Sequence, residues 1–184
     1  MLQTRNDLPE RTRQSVASIL QKRLYDAIDL MQQAKQAHWN VKGENFFSLH
    51  ELFDKIHEEI ETSADLLAER ISQLGGKVEG TCIAVSKYTS LPIYSTEMTN
   101  SKEHLESFSK SLATFAKFLR LGIEQTSQLK DAGSADILTQ ISRSIDKSLW
   151  FVESNLPVIK IIKKEPIKSI KTAKTSQMER FSGH

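Results

Sequence analysis

Residues 37–76 read AHWNVKGENFFSLHELFDKIHEEIETSADLLAERISQLGG, and the periodicity of this stretch decides the fold. Leu49, Phe53, Ile56, Ile60, Leu67, Ile71 and Leu74 recur at steps of three, four and seven. That is the period of one buried stripe on an α-helix. A helix over 45–74 follows, stopped by Gly75-Gly76 just past its last apolar residue. Asn40-Val41-Lys42-Gly43 separates it from an earlier helix over 10–39. There Leu20, Leu24, Ala27, Met31, Ala34 and His38 repeat the same spacing.

Working outward, residues 75–99 lack sustained periodicity and include Pro92. The segment is too long for a mere connection, and a short helix within it is expected. A third helix uses Leu105, Phe108, Leu112, Phe115, Leu119, Ile123 and Leu129. Ala132-Gly133 breaks it, and Ser134 is placed to cap a fourth. That last helix carries Ile137, Ile141, Ile145, Leu149, Val152 and Leu156. Short loops between helices one and two, and between three and four, make two antiparallel pairs. The long middle segment then crosses the bundle from end to end. Four helices with one long crossover is the ferritin-like arrangement, so the fold class is all-α. The expected organisation is an N-terminal extension over 1–9, a four-helix bundle over 10–156 and a tail over 157–184.

Composition agrees. The chain has 184 residues, 39% hydrophobic and 26% charged, with only 7 Gly and 4 Pro, which disfavours a turn-rich all-β fold. The single cysteine, Cys82, excludes an intrachain disulfide and a CxxC motif; packing is its expected role. No apolar run approaches the ~18 residues of a membrane span. The opening MLQTRNDLPERTRQ lacks the apolar stretch of a secretion signal. A cytoplasmic location is therefore expected, with nucleoid association as an addition if the tail binds DNA.

The chemistry sits on the second helix. With His50 set to 0°, Asp54 falls at about 40°, Glu61 at about 20°, Asp65 at about 60° and Glu69 at about 100°, while the apolar set clusters near −100°. His50/Asp54 and Asp65/Glu69 are i,i+4 pairs, so each pair can converge. Imidazole with carboxylate suits Fe²⁺, Mn²⁺ or Zn²⁺. A polar stripe opposite a core is most often a solvated face, and His38, on the apolar stripe of the first helix, most often a packed core histidine. His57, His104 and His184 are read as surface residues.

Spacing discriminates between a site within one chain and a shared one. Asp54 and Asp65 lie about 16 Å apart along the helix, too far to bind one metal from the same chain. If two copies of the helix cross antiparallel about a two-fold axis near residues 59 and 60, Asp54 of one chain faces Asp65 of the other. Such an interface is self-complementary and creates two identical sites. A di-iron site within one bundle normally uses Glu-x-x-His motifs, and none of the Glu residues here has a His three positions later.

Residues 37–76 closely resemble the signature of the Dps family of ferritin-like mini-ferritins. The family spacing His-x11-His-x3-Asp-x10-Asp-x3-Glu is met by His38, His50, Asp54, Asp65 and Glu69, with Trp39 and Gly43 also in place. DILTQISRSIDKSLWFVESNL, residues 136–156, looks like the family's last helix. The resemblance covers about residues 8–156. It implies a homo-oligomer, a hollow dodecamer built from two-fold dimers, with ferroxidase sites at the dimer interfaces. His38, His50 and Asp54 would come from one chain, and Asp65 and Glu69 from its partner. It implies oxidation of Fe(II), with hydrogen peroxide preferred over dioxygen, and storage of ferric oxyhydroxide inside. Two adjacent irons deliver two electrons to peroxide and yield water rather than hydroxyl radical. The same residue types also serve Zn or Mn at the site. Trp39 would sit beside the site, as packing in the first instance.

The resemblance further implies acidic pores near the start of the last helix, where carboxylate rings attract cations. Asp131 and Asp136 are the candidates, against the simpler role of Asp at a helix N-terminus. Some relatives carry Glu where this chain has Gln140. Residues 157–184 hold seven basic and two acidic residues, a net +5, whereas the rest of the chain is at −3. Lys160, Lys163, Lys164, Lys168, Lys171 and Lys174 are candidate DNA contacts, which would be non-specific and steeply salt-dependent. The alternative functions are therefore a nucleoid-binding DNA-protection protein acting through this tail, or the same cage with Zn or Mn at the site; the tail could instead dock on the shell through Val158, Ile159, Ile161, Ile162, Ile167 and Ile170.

Overall fold

A computed structural model describes residues 1–157 of the chain. It contains five helices: α1 (Glu10–Asn40), α2 (Phe46–Gln73), α3 (Cys82–Tyr88), α4 (Ser101–Gln128) and α5 (Ala132–Glu153). Among the described residues there is no strand, and no helix is long and apolar enough to cross a membrane.

Pair contacts set the directions. Met31, Lys35 and His38 of α1 meet His57, Asp54 and His50 of α2, so these two run antiparallel. Glu59 of α2 meets Ser148 of α5, and Arg70 meets Asp131 and Ser134, again antiparallel. Arg23 of α1 reaches the Phe118 carbonyl of α4. The core between them is one apolar cluster. Leu20, Leu24 and Leu30 of α1 interlock with Phe53, Ile56 and Ile60 of α2, with Phe108, Leu112 and Phe115 of α4 and with Ile141 and Ile145 of α5. Phe53 and Phe108 meet edge to face at 5.5 Å.

The crossover climbs α1. Tyr25 donates to Glu79, Thr89 to Asp29, and the Ser90 N–H to Asp26. Gln33, further up, donates to the Pro92 carbonyl. These contacts carry the chain the length of the bundle, from the foot of α2 to the head of α4. The expected short helix is α3, resting on α1. Asp26 is fully buried against Arg23, at 2.9 Å; burial raises its pKa against the Ser90 N–H and the Arg23 charge.

Several local expectations need correcting. The break before the last helix is Lys130, at φ 60, not Ala132-Gly133, which lie in the first turn of α5. The cap is Asp131 rather than Ser134. Asp131 accepts the Ser134 N–H at 3.0 Å on one carboxylate oxygen and the Ser134 hydroxyl at 2.6 Å on the other. Asp is as good an N-cap as Ser, and its carboxylate also suits the positive end of the helix. His104 is not a surface residue: it is buried, hydrogen-bonded to the Tyr94 hydroxyl at 2.8 Å, and burial lowers its pKa. It lies one turn before Phe108 on the same stripe, which places it inside.

At the other end, α2 closes as expected on Gly75-Gly76. Gly75 has φ +81, and the Gly76 N–H returns to the Ile71 carbonyl at 2.8 Å. Residues 1–9 fold back onto this end. The Leu2 N–H donates to the Gly75 carbonyl at 2.6 Å, and Arg13 donates to the Leu74 and Leu8 carbonyls.

Candidate metal centre

The seam between α1 and α2 builds the site. His38 Nδ1–H donates to the His50 carbonyl at 2.9 Å, and His50 Nδ1–H donates to the His38 carbonyl at 2.9 Å. A carbonyl only accepts, so each Nδ1 carries the proton and each Nε2 keeps the lone pair that binds a cation. The rings stack 3.6 Å apart. A backbone carbonyl that fixes the tautomer and orientation of an imidazole is the usual support for a metal-ligating histidine. The His38 carbonyl also falls in the last turn of α1, where carbonyls lack a helical partner, so the His50 ring completes that turn.

Asp54 lies one turn beyond His50. Its Oδ1 is 3.9 Å from His38 Nδ1 and accepts a hydrogen bond from the Lys35 ammonium. That bond and the Lys35 charge hold the Asp54 carboxyl below the usual carboxylate range. Lys35 is thus a cation already seated on the Asp54 carboxylate. Lys35 lies three residues before His38 on the same helical face, but a lysine is not a ligand type and nothing in the sequence singles it out.

The structure brings His38, His50 and Asp54 together and leaves Asp65 and Glu69 apart from them. The latter two are exposed on the same helix, three turns along. Among the described residues, no three His, Cys, Asp or Glu side chains of one chain are grouped to hold an ion. Within one chain, then, His38, His50 and Asp54 lie apart from Asp65 and Glu69. Trp39 and Phe47, 65% and 72% exposed, flank the histidine half. Phe46 lies 5.2 Å from the His50 ring. So Trp39, expected as packing, does not pack within its own chain.

His57 is half-buried rather than a free surface residue. Its Nδ1–H donates to the Met31 carbonyl at 3.0 Å. Asp131 is buried, and its carboxylate is committed to capping α5 and to Arg70 at 2.9 Å. Burial alone would raise its pKa, but the Ser134 hydrogen bonds and Arg70 leave it lowered. Asp136 is exposed in the first turns of α5. The six candidate lysines from Lys160 to Lys174, and His184, lie outside the described residues.

A family model described as a ferritin-like domain matches residues 17–162. A "DNA protection during starvation protein" from Agrobacterium fabrum is 39% identical over 153 residues, covering 83% of this chain and 94% of that protein. Among solved structures, the tetragonal form of Mycobacterium smegmatis Dps superposes with a TM-score of 0.79 at 34% identity, covering 83% of this chain and 93% of that one. A Dps from Microbacterium arborescens, solved in a high iron form, gives 0.75 at 26% identity, covering 84% of this chain and 97% of its own.

Proposed function

Because the chain belongs to the Dps family of ferritin-like proteins, we propose that it oxidises Fe(II) at sites shared between two subunits and stores the ferric product inside a dodecameric cage. The observation that carries this reading is the reciprocal anchoring of His38 and His50 through Nδ1, which leaves both Nε2 atoms free of a protein partner, one helical turn from Asp54. Asp65 and Glu69 of the partner subunit complete the donor set when two α2 helices cross antiparallel. The exposed Trp39 and Phe47 are the apolar rim such an interface would bury.

Iron is the substrate. Two imidazoles and three carboxylates give a borderline-soft, mostly oxygen set that suits Fe(II) and becomes a better match as its charge rises on oxidation. The set also suits Zn(II) or Mn(II), which would occupy it without turnover. His38 and His50 fix geometry through their carbonyl bonds. The carboxylates balance charge, and Asp54 must first be released by Lys35. Two Fe(II) held together supply both electrons needed to cleave the O–O bond of one hydrogen peroxide to two hydroxides, which take up two protons to become water. Peroxide is the preferred oxidant in this reading. Asp136, exposed near the start of α5, is the better pore candidate, since the Asp131 carboxylate is already engaged inside the subunit.

The test is anaerobic Fe(II) loading followed by peroxide, with ferric absorbance followed in wild type, His50→Asn and Asp65→Asn. Fast oxidation that falls sharply in both variants is expected. Equal rates would return the polar stripe of α2 to a solvated face.

A second reading has its own support. The Agrobacterium relative is named for DNA protection, and residues 157–184 here carry a net +5. Twelve such tails would bind DNA without sequence preference. Removing the residues after Pro157 abolishes that binding if the tail carries it and leaves Fe(II) oxidation unchanged.

A further inference from the structure

Tyr25 of α1 is buried, and its hydroxyl donates to Glu79 Oε2 at 2.6 Å. Glu79 is held there by Gln21, one turn earlier on α1. The Gln21 amide donates to the Glu79 carbonyl at 2.6 Å and accepts the Glu79 N–H at 3.0 Å. Those two bonds anchor the crossover backbone to α1 without help from the phenol. Burial and the Glu79 carboxylate push the Tyr25 pKa up to about 12, so near neutral pH Tyr25 is a phenol whose proton faces a base. On its other side the Tyr25 ring lies 5.3 Å from the ring of Tyr88, the last residue of α3. Tyr88 is 47% exposed, and the Lys87 ammonium lies 4.9 Å from its ring.

The charges around the two rings give the pair a direction. A cation over the Tyr88 ring makes an electron harder to remove from it. A carboxylate placed to take the phenolic proton makes one easier to remove from Tyr25. A hole formed at the exposed ring is therefore drawn to the buried one. We propose that Tyr88, Tyr25 and Glu79 form a radical sink, in which an oxidising equivalent that reaches Tyr88 is held on Tyr25. The oxidant is a one-electron species of the hydroxyl-radical class. It takes an electron and the phenolic proton from Tyr88 and, as hydroxyl radical, leaves as water. Tyr25 then gives one electron to Tyr88, which recovers a proton from solvent, while the Tyr25 Oη proton passes to Glu79 Oε2. The products are a neutral phenoxyl on Tyr25 and a protonated Glu79, which is exposed and can release that proton to water. Tyr25 lies thirteen residues before His38 on α1, about 20 Å along the helix. The sink is thus separate from the metal centre.

The test needs no metal, so its outcome does not depend on the ferroxidase reading. The full-length protein in chelator is oxidised by a pulse of azide radical, and the phenoxyl signal is followed by absorbance and by freeze-quench electron paramagnetic resonance. A Tyr94→Phe background leaves Tyr25 and Tyr88 as the only tyrosines. There we expect a long-lived phenoxyl. Adding Tyr25→Phe removes it and leaves only a short-lived radical on Tyr88, and adding Tyr88→Phe slows its appearance. Glu79→Gln separates the sink from a plain anchor. Glutamine still accepts the Tyr25 hydrogen bond but does not take up the proton, so the melting temperature should hold while the long-lived signal is lost. Equal phenoxyl yield and lifetime with and without Tyr25→Phe overturns the inference, and so does an unchanged signal in Glu79→Gln.

Discussion

Replacing His50 separates the two roles its ring plays. His50→Asn puts an amide N–H where Nδ1–H lies and can still donate to the His38 carbonyl, but it has nothing in the position of Nε2. His50→Ala loses both. In the metal-free protein the alanine variant gives up one hydrogen bond, about 1 kcal/mol. It also gives up the stacking of a half-buried ring on His38 at 3.6 Å, about 1 kcal/mol more. The sum, about 2 kcal/mol, lowers the melting temperature by roughly 4–8 °C for a chain of this size. The asparagine variant should stay within about 1 kcal/mol of wild type, since it keeps the bond. Metal affinity behaves differently: both variants lose the same ligand, and Co(II) or Zn(II) binding at the site falls by roughly a hundredfold or more in each. Thermal melting in chelator and calorimetric titration with Co(II) read the two effects separately. If His50→Asn binds metal like wild type, Nε2 is not a ligand. If it melts as early as His50→Ala, the reciprocal bonds to the carbonyls do not hold the rings.

Further perturbations probe the neighbouring contacts. Lys35→Met removes the cation that competes for Asp54, so metal affinity should rise by roughly two- to fivefold at low salt, with the gain fading as salt is added; titrations at two ionic strengths check this. Asp131→Ala removes a cap and leaves Arg70 without its buried partner, which should cost about 3 kcal/mol, measured by chemical denaturation. Because the folded pKa of Asp131 is lowered, its contribution is complete above the unfolded value of 3.8 and disappears as pH falls through the folded value. The wild-type and variant stabilities should therefore converge in acid. Gly75→Ala forces a side chain into φ +81 with its Cβ 2.6 Å from the Leu2 carbonyl. A loss of about 2 kcal/mol is expected, with faster amide exchange in residues 1–9.

Much of this architecture is legible in the sequence. The apolar stripes placed four helix cores, because a bundle buries one face of each helix at a period that no other element shares. The break at Asn40–Gly43 and the stop at Gly75 were equally visible, since positive φ selects glycine. Lys130 was not, because a lysine in that conformation leaves no mark in composition. The Asp131 cap was ambiguous for a different reason. Asp131 and Ser134 are both cap formers three residues apart, and only the geometry decides which accepts and which donates. Spacing paired His50 with Asp54 and the family resemblance added His38, yet neither gives the contacts that hold the three together. Carbonyl anchoring depends on the two helices lying in register, and so does the arrival of Lys35 at Asp54. For His104 the polar ring points to the surface, but its position on the stripe of Phe108 places it inside.

The central claim is that each site draws ligands from two chains. Co-expressing differently tagged His50→Asn and Asp65→Asn chains and purifying the mixed assemblies tests it directly. Each variant alone should be nearly inactive in peroxide-driven Fe(II) oxidation. In a dimer of one chain of each kind, one site carries both lesions and the other carries neither. Random mixing makes half the dimers of this kind, so about a quarter of all sites, and about a quarter of the wild-type rate, should return. Mixed assemblies no faster than either parent would mean that His50 and Asp65 serve the same site from one chain, or serve no common site at all.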